Sequence, residues 1–214
     1  MSTAMFGERV QRLADAKLVL GEGSFIDDIP LEGALHVAFV RSPFARAHIR
    51  SIDCEAAREM EGVAAVYTCD DLGRLDILMP LLIPHPSLTE ARTQRPLARE
   101  DVFYVGQTVV MVVAIDRYTA EDAVHLIDVD YEPLDVELDL PAAVGDDAPR
   151  VHPDVANNVA AHFVQRSGDP DSAFVRADHI TKIKVQVDRS TAAPLECRAV
   201  AARYDTVAGE LMVW

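Results

Sequence analysis

Residues 101–134, DVFYVGQTVVMVVAIDRYTAEDAVHLIDVDYEPL, decide how the fold is read. Val109 to Ile115 is an unbroken apolar run rich in β-branched side chains, which predicts a central strand over Val109–Val113 buried on both faces. The period then changes. RYTAEDAVHLI (117–127) reads as a helix with Tyr118, Ala120, Ala123, Val124 and Ile127 on one side, and DVDYEPLDVEL (128–138) as extended chain. Pro133 places a bend between two short strands there, because proline cannot donate to a ladder.

Working toward the N-terminus, CEAAREMEG (54–62) predicts a short helix closed by Gly62, VAAVYT (63–68) a strand and CDDLGRL (69–75) a turn of helix. ALHVAFVRS (34–42) and AHIRSID (47–53) predict two strands joined by a turn around Pro43, with Arg41, Arg46 and Arg50 pointing out of the sheet. RVQRLADAKLVL (9–20) suits a helix stopped at Gly21. Between residues 78 and 95, Pro80, Pro84 and Pro86 exclude regular structure and predict a long loop of the kind that forms functional edges.

Working toward the C-terminus, a connector rich in Pro, Asp and Asn at 141–158 marks a domain boundary. DPDSAFVRAD (169–178) predicts a helix, while HITKIKVQVDR (179–189) and LECRAVAARYD (195–205) predict strands. DTVAGELMVW (205–214) completes a hairpin with the second of these. The fold class is α+β.

Composition narrows the function. Of 214 residues, 35 are acidic and 20 basic, giving a formal charge of −15 that repels a phosphate backbone and argues against nucleic acid as a partner. The Asp27-Asp28, Asp70-Asp71 and Asp146-Asp147 pairs lack the spacing of an EF-hand and read as solvated surface. No apolar run reaches the roughly 20 residues of a membrane span, and no basic, then apolar, leader opens the chain. The expected location is therefore the cytoplasm, without membrane insertion. Three cysteines, Cys54, Cys69 and Cys197, fit reduced thiols in that compartment, with Cys197 a buried thiol inside its strand.

Catalytic patterns are missing. There is no G-x-S-x-G elbow, no HExxH and no phosphate-binding G-x-x-x-x-G-K-[ST]. The seven histidines, at 36, 48, 85, 125, 152, 162 and 179, never pair at metal-ligand spacing. His36 and His48 could meet across the first hairpin, and His85, between prolines, is the most exposed candidate for a polar role. GEGSF (21–25) follows a helix where a dinucleotide fingerprint follows a strand, so it reads as a helix stop.

The order of several blocks is nevertheless distinctive: GEGSFIDDI, FVRSPFARAHIRSID, VGQTVVMVVAIDRYTAEDAVHLIDVDYEPL and PLECRAV. Together, from about Arg9 to Trp214, they resemble the N-terminal part of the large, molybdenum-cofactor-binding subunit of the xanthine dehydrogenase and aldehyde oxidase family, with the nearest look to aerobic carbon monoxide dehydrogenase-like large chains.

That resemblance implies an N-terminal arm (1–14), an α/β hammerhead domain (15–145) and the incomplete beginning of a molybdopterin-binding domain (146–214), a short mixed α/β segment. It implies oxidative hydroxylation at molybdenum of an aldehyde, purine, N-heterocycle or CO-type substrate. The assembled complex would hold molybdopterin in its cytosine dinucleotide form, [2Fe-2S] clusters and FAD, with clusters and flavin on separate small and medium subunits. The glycine-rich cofactor loop, the active-site cysteine loop and the C-terminal catalytic glutamate of the family are absent from this stretch. The expectation is therefore no catalytic, cofactor-binding or metal residue here, and a chain inactive alone that supplies scaffold and interface to the remainder of the large subunit, in cis or as a separate chain.

Within the matching blocks, Gln107 reads as a structural hydrogen-bonder and Glu196 as a strand residue paired with an arginine. Trp214 is the expected contact with the remainder. The alternative is a free-standing, non-catalytic hammerhead that binds a partner or small ligand.

Overall fold

Thr108–Ala114 is the middle strand of a three-stranded antiparallel sheet in the computed structural model, which describes residues 7, 9–89, 92–187, 190–194 and 196–214. In chain order the strands are β1 (His36–Arg41), β2 (Ala47–Asp53), β3 (Val63–Tyr67), β4 (Asp101–Val102), β5 (Thr108–Ala114), β6 (Asp128–Pro133), β7 (Ala202–Asp205) and β8 (Glu210–Val213). The helices are α1 (Asp15–Val19), α2 (Glu55–Glu59), α3 (Arg117–Val124), α4 (Leu140–Ala143) and α5 (Pro170–Arg176).

One sheet runs β1-β5-β3 and a second runs β4-β2-β6, with every pairing antiparallel. In the β1 ladder Val40 faces Val110 and Arg41 faces Thr108, so Val109 is the extra residue of a bulge on β5. The consecutive side chains Val109 and Val110 at that bulge are both fully buried. A single apolar cluster then joins the two sheets. It contains Ala47, Ile49 and Val102 from β2 and β4, Val109, Val110 and Val112 from β5, and Val66, Ala57 and Ala123 from β3, α2 and α3.

The helix α3 packs on β1 and β5. Asp116 caps it by accepting from the Thr119 amide at 2.8 Å. Ala120 and Ala123 face inward, but Tyr118 is 79% exposed, because it lies on the opposite side of the helix from Ala120. The strand β6 stops at Pro133, and the second short strand expected beyond it does not form.

The two strands flanking Pro43 do not make a hairpin. β1 pairs with β5 and β2 with β4 and β6, so His36 and His48 belong to different sheets and do not meet as cross-strand partners. Arg46 is half-buried instead of turning outward, and its Nη1 donates to the Asp135 carbonyl at 3.1 Å.

The elements from β1 through α5 belong to one compact unit, Ala34–His179. A second unit gathers the described residues up to Gly33 with Ile180–Trp214. In it the helix predicted over 9–20 is reduced to α1, with Val10 and Leu13 exposed and no buried face to hold the first turns. Gly21, at φ +74, ends it as expected. The strand predicted at 179–189 does not form over its described residues, and that at 195–205 forms only as β7. The cause is pairing: β7 has β8 beside it, whereas no partner strand lies alongside 180–187 or 196–200 among the described residues. Asp188, Arg189, Leu195 and most of the first eight residues lie outside the described set.

The hairpin β7–β8 closes as predicted. Asp205 Oδ1 accepts from the Val207 and Ala208 amides at 2.9 and 3.0 Å, and Gly209 supplies the positive φ of +70 that the turn requires. Trp214 and Ala201 extend the ladder by exchanging backbone hydrogen bonds at 2.9 and 3.1 Å.

Candidate functional site

The proline-bearing loop cannot satisfy its backbone within a regular element, so it folds back on itself and onto the following connector. The Met79 amide donates to the Gln94 carbonyl at 2.9 Å. Further along, Leu88 bridges to Ala161, and the Thr89 amide donates to the Ala160 carbonyl at 3.0 Å. The two segments that sequence leaves irregular thus clasp one another.

Between the loop and the β4–β5 turn lies a groove of about 850 Å³. Leu78, Met79, Phe103 and Tyr104 give it apolar walls, and Arg95 and His152 contribute polar edges. Gln107 lies beneath, 6% exposed, with its Oε1 accepting from the Phe103 amide at 2.7 Å. That contact agrees with the structural role expected for Gln107.

The cations around the groove are neutralised. Asp76, with a side chain only 5% exposed, accepts from Arg99 Nε at 3.0 Å and lies 3.1 Å from Arg95 Nη1. Hydrogen bonding from Arg99, with Arg95 behind it, holds the Asp76 carboxyl below the usual carboxylate range. Arg92 pairs with Asp154. His152 stacks on Phe103 with ring centroids 4.3 Å apart, and burial, helped by Arg92, lowers its tendency to protonate.

No cysteine, serine or lysine among the described residues lines the groove. Burial pushes the Cys54 and Cys69 thiols up, away from the thiolate form. Cys197 is exposed and outside any strand, contrary to the buried thiol expected, because the strand that would have enclosed it has no partner. Among the described residues no three His, Cys, Asp or Glu side chains gather as a metal site.

The other candidates are dispersed. His48 Nδ1 lies 2.9 Å from Asp101 Oδ1, and His85 accepts from the Ser87 amide and faces the Phe163 ring at 5.0 Å. Among the described residues Glu196 has no arginine partner; in the second unit its Oε1 accepts from the Ile26 amide at 2.9 Å. GEGSFIDDI and PLE are thereby tied together, 170 residues apart. What sequence reasoning missed is the groove itself, although three arginines between 92 and 99 in so acidic a chain could have signalled it.

Two family models match in tandem. Residues 20–135 match the aldehyde oxidase and xanthine dehydrogenase a/b hammerhead domain, and residues 151–214 match the molybdopterin cofactor-binding domain. The nicotine 6-hydroxylase large subunit of Paenarthrobacter nicotinovorans is 38% identical over 98% of this chain and 26% of its own length. The carbon monoxide dehydrogenase large chain of Afipia carboxidovorans is 36% identical over 97% of this chain and 27% of its own. The crystal structure of quinoline 2-oxidoreductase from Pseudomonas putida 86 superposes with a TM-score of 0.81 at 33% identity, covering 96% of this chain and 26% of that one. The chain thus spans about a quarter of the length of the curated relatives it matches.

Proposed function

Because the chain belongs to the aldehyde oxidase and xanthine dehydrogenase family, we propose that it is the N-terminal quarter of the molybdenum-cofactor-binding subunit of a molybdenum hydroxylase. The observation carrying this is the tandem order of the two family matches, 20–135 and then 151–214. That order favours the enzyme-component reading over a free-standing hammerhead, which would need only the first. The chain would comprise an arm (1–14), the hammerhead (15–145) and the beginning of the cofactor-binding domain (146–214).

When bound, the molybdenum cofactor would supply oxidative hydroxylation of an electrophilic carbon. We place its contacts, in the cytosine dinucleotide form, outside this chain. Two observations support that placement: Glu196 is committed to the Ile26 amide, and Gly21 serves a helix stop. No chemical step is assigned to these residues, whose work is scaffold and interface.

The interface reading rests on unpartnered apolar surface. In 180–187 the odd positions are apolar or threonine and the even positions include Lys182, Lys184 and Gln186, a strand pattern without a ladder. Ile183 and Val187 are 83% and 85% exposed. We assign this edge and the β7–β8 hairpin, with Trp214, to contact with the rest of the large subunit, in cis or as a separate chain. An iron–sulfur small subunit and an FAD medium subunit would complete the complex in the cytoplasm. No helix among the described residues is long and apolar enough to cross a membrane.

Affinity purification of the tagged chain from its source cells tests this reading. The expected result is co-elution with polypeptide carrying a glycine-rich cofactor loop and with chains bearing iron–sulfur and flavin chromophores. Recovery of the chain alone as a stable monomer would overturn it.

A further inference from the structure

The start of the second family match is fastened at one unusual point. Residues 149–163 form a strap within the unit Ala34–His179. Asn158 Nδ2 donates to the Ala143 and Pro149 carbonyls at 2.9 and 3.0 Å, Asn158 Oδ1 accepts from the Val151 amide at 2.9 Å, and Arg150 Nη1 donates to the Val155 carbonyl at 3.0 Å. Val155 is buried. Beyond it, the His162 amide donates to the Ser87 carbonyl at 3.1 Å. The strap therefore brings its own internal frame, and two side chains fasten that frame at the groove: Asp154 to Arg92, and His152 to the Phe103 ring.

His152 is an unusual fastener for such a position. Its Nδ1 is buried and has no hydrogen-bond partner. In the neutral ring this nitrogen can remain a bare lone pair, at modest cost. Protonation puts hydrogens on both ring nitrogens, so Nδ1 becomes a charged donor buried without an acceptor. The surrounding charges oppose it as well. Arg92 from the proline-bearing loop and Arg46 from the chain entering β2 both disfavour the imidazolium, and only Asp154, already paired with Arg92, favours it. Arg95, Arg99, Glu100 and Asp101 line the same groove, the first two arginines being held by Asp76.

We propose that His152 is a pH-sensitive latch: neutral, it holds the 149–163 strap against Phe103 and the proline-bearing loop, and protonated, it releases the strap and opens the groove. The sign follows from the geometry. A histidine that resists protonation when folded contributes its full stability above its ordinary pKa of about 6.5 and loses it as the pH falls below that value. Because His152 lies in the cofactor-binding match and Phe103 in the hammerhead match, the latch couples acidity to the join between those regions. It depends on neither the cofactor nor the reaction, so it stands apart from the molybdenum reading.

The test uses the full 214-residue chain between pH 8 and pH 5. The His152 ring is titrated by ¹H–¹³C NMR, and hydrogen exchange is followed at the Thr89, Val151 and His162 amides after correction for intrinsic rates. The latch predicts titration of His152 below about 6.5, with amide protection falling across that titration by up to about tenfold per pH unit, the limit for one proton. His152→Gln should abolish the pH step, and Asp154→Asn should retain it. Titration of His152 at or above the ordinary value, or an unchanged pH step in His152→Gln, would overturn the proposal. Should His152→Gln fail to fold, the wild-type ring titration decides alone.

Discussion

The carboxylate of Glu196 accepts a 2.9 Å hydrogen bond from the backbone amide of Ile26, closing a separation of 170 residues. The amide belongs to a single turn of 3-10 helix, Ile26–Asp28, in which Asp28 also accepts from the Phe25 amide at 2.9 Å. Removing the acceptor in Glu196→Ala should cost at most about 1 kcal/mol, the scale for an exposed hydrogen bond. Glu196→Gln keeps an acceptor oxygen and should cost less. Denaturant unfolding of the two variants checks the order, and equal losses would show that charge, not the hydrogen bond, is what matters.

The bulge at Val109 makes β5 the most sensitive part of the core. Val110 and Val112 are fully buried within the cluster linking both sheets. Val112→Ala should destabilise the chain by about 2 kcal/mol from lost transfer energy plus the residual cavity. The same change at Ile183, which is 83% exposed, should be nearly neutral in the isolated chain. Chemical denaturation midpoints measure both.

Asp76 sets the acid limit of the groove. Its carboxyl lies below the usual range because Arg99 and Arg95 hold it ionised, so this stabilisation is complete above about pH 4 and is lost as the pH falls through the lowered folded value. Arg99→Met removes the larger cause and should move the acid-unfolding midpoint to higher pH. The comparison is an acid titration followed by circular dichroism, with Arg74→Met, at an exposed position, as the control.

How much of this was legible in sequence depends on where the stabilising partner lies. The strand β5, the helix α3 and the β7–β8 hairpin carry their signals locally, in an apolar run, a helical period and an Asp-to-Gly turn, and each formed, although α3 ends at Val124 instead of Ile127 and leaves Tyr118 exposed. HITKIKVQVDR has the alternation of a strand just as clearly, yet it gains no ladder, because alternation specifies a face and not a partner. The pairing of β1 with β5 instead of β2 was hidden for the same reason: a turn at Pro43 fits a hairpin and a crossing between sheets equally well. At the groove, Gln107 was legible through its motif. The tilted Phe103–His152 ring contact was not, since it joins two distant segments in which neither shows periodicity.

The single tryptophan reports on the interface. Trp214, at the end of the β8 ladder, is 36% exposed, with Leu211, Met212 and Val213 exposed beside it. Its emission should shift to shorter wavelength when the chain associates with the rest of its subunit, as indole leaves water. Leu211→Ser should weaken that association while leaving the fold of the isolated chain unchanged, because Leu211 is 64% exposed.

The role proposed for this chain is scaffold and interface within a molybdenum enzyme, with the cofactor held elsewhere. The most direct measurement is the molybdenum-to-chain ratio by elemental analysis, made on the chain purified alone and on the chain purified with its partners. The account predicts no stoichiometric molybdenum in the first sample and close to one molybdenum per chain in the second. Stoichiometric molybdenum on the chain alone, or none in the assembled complex, would contradict it.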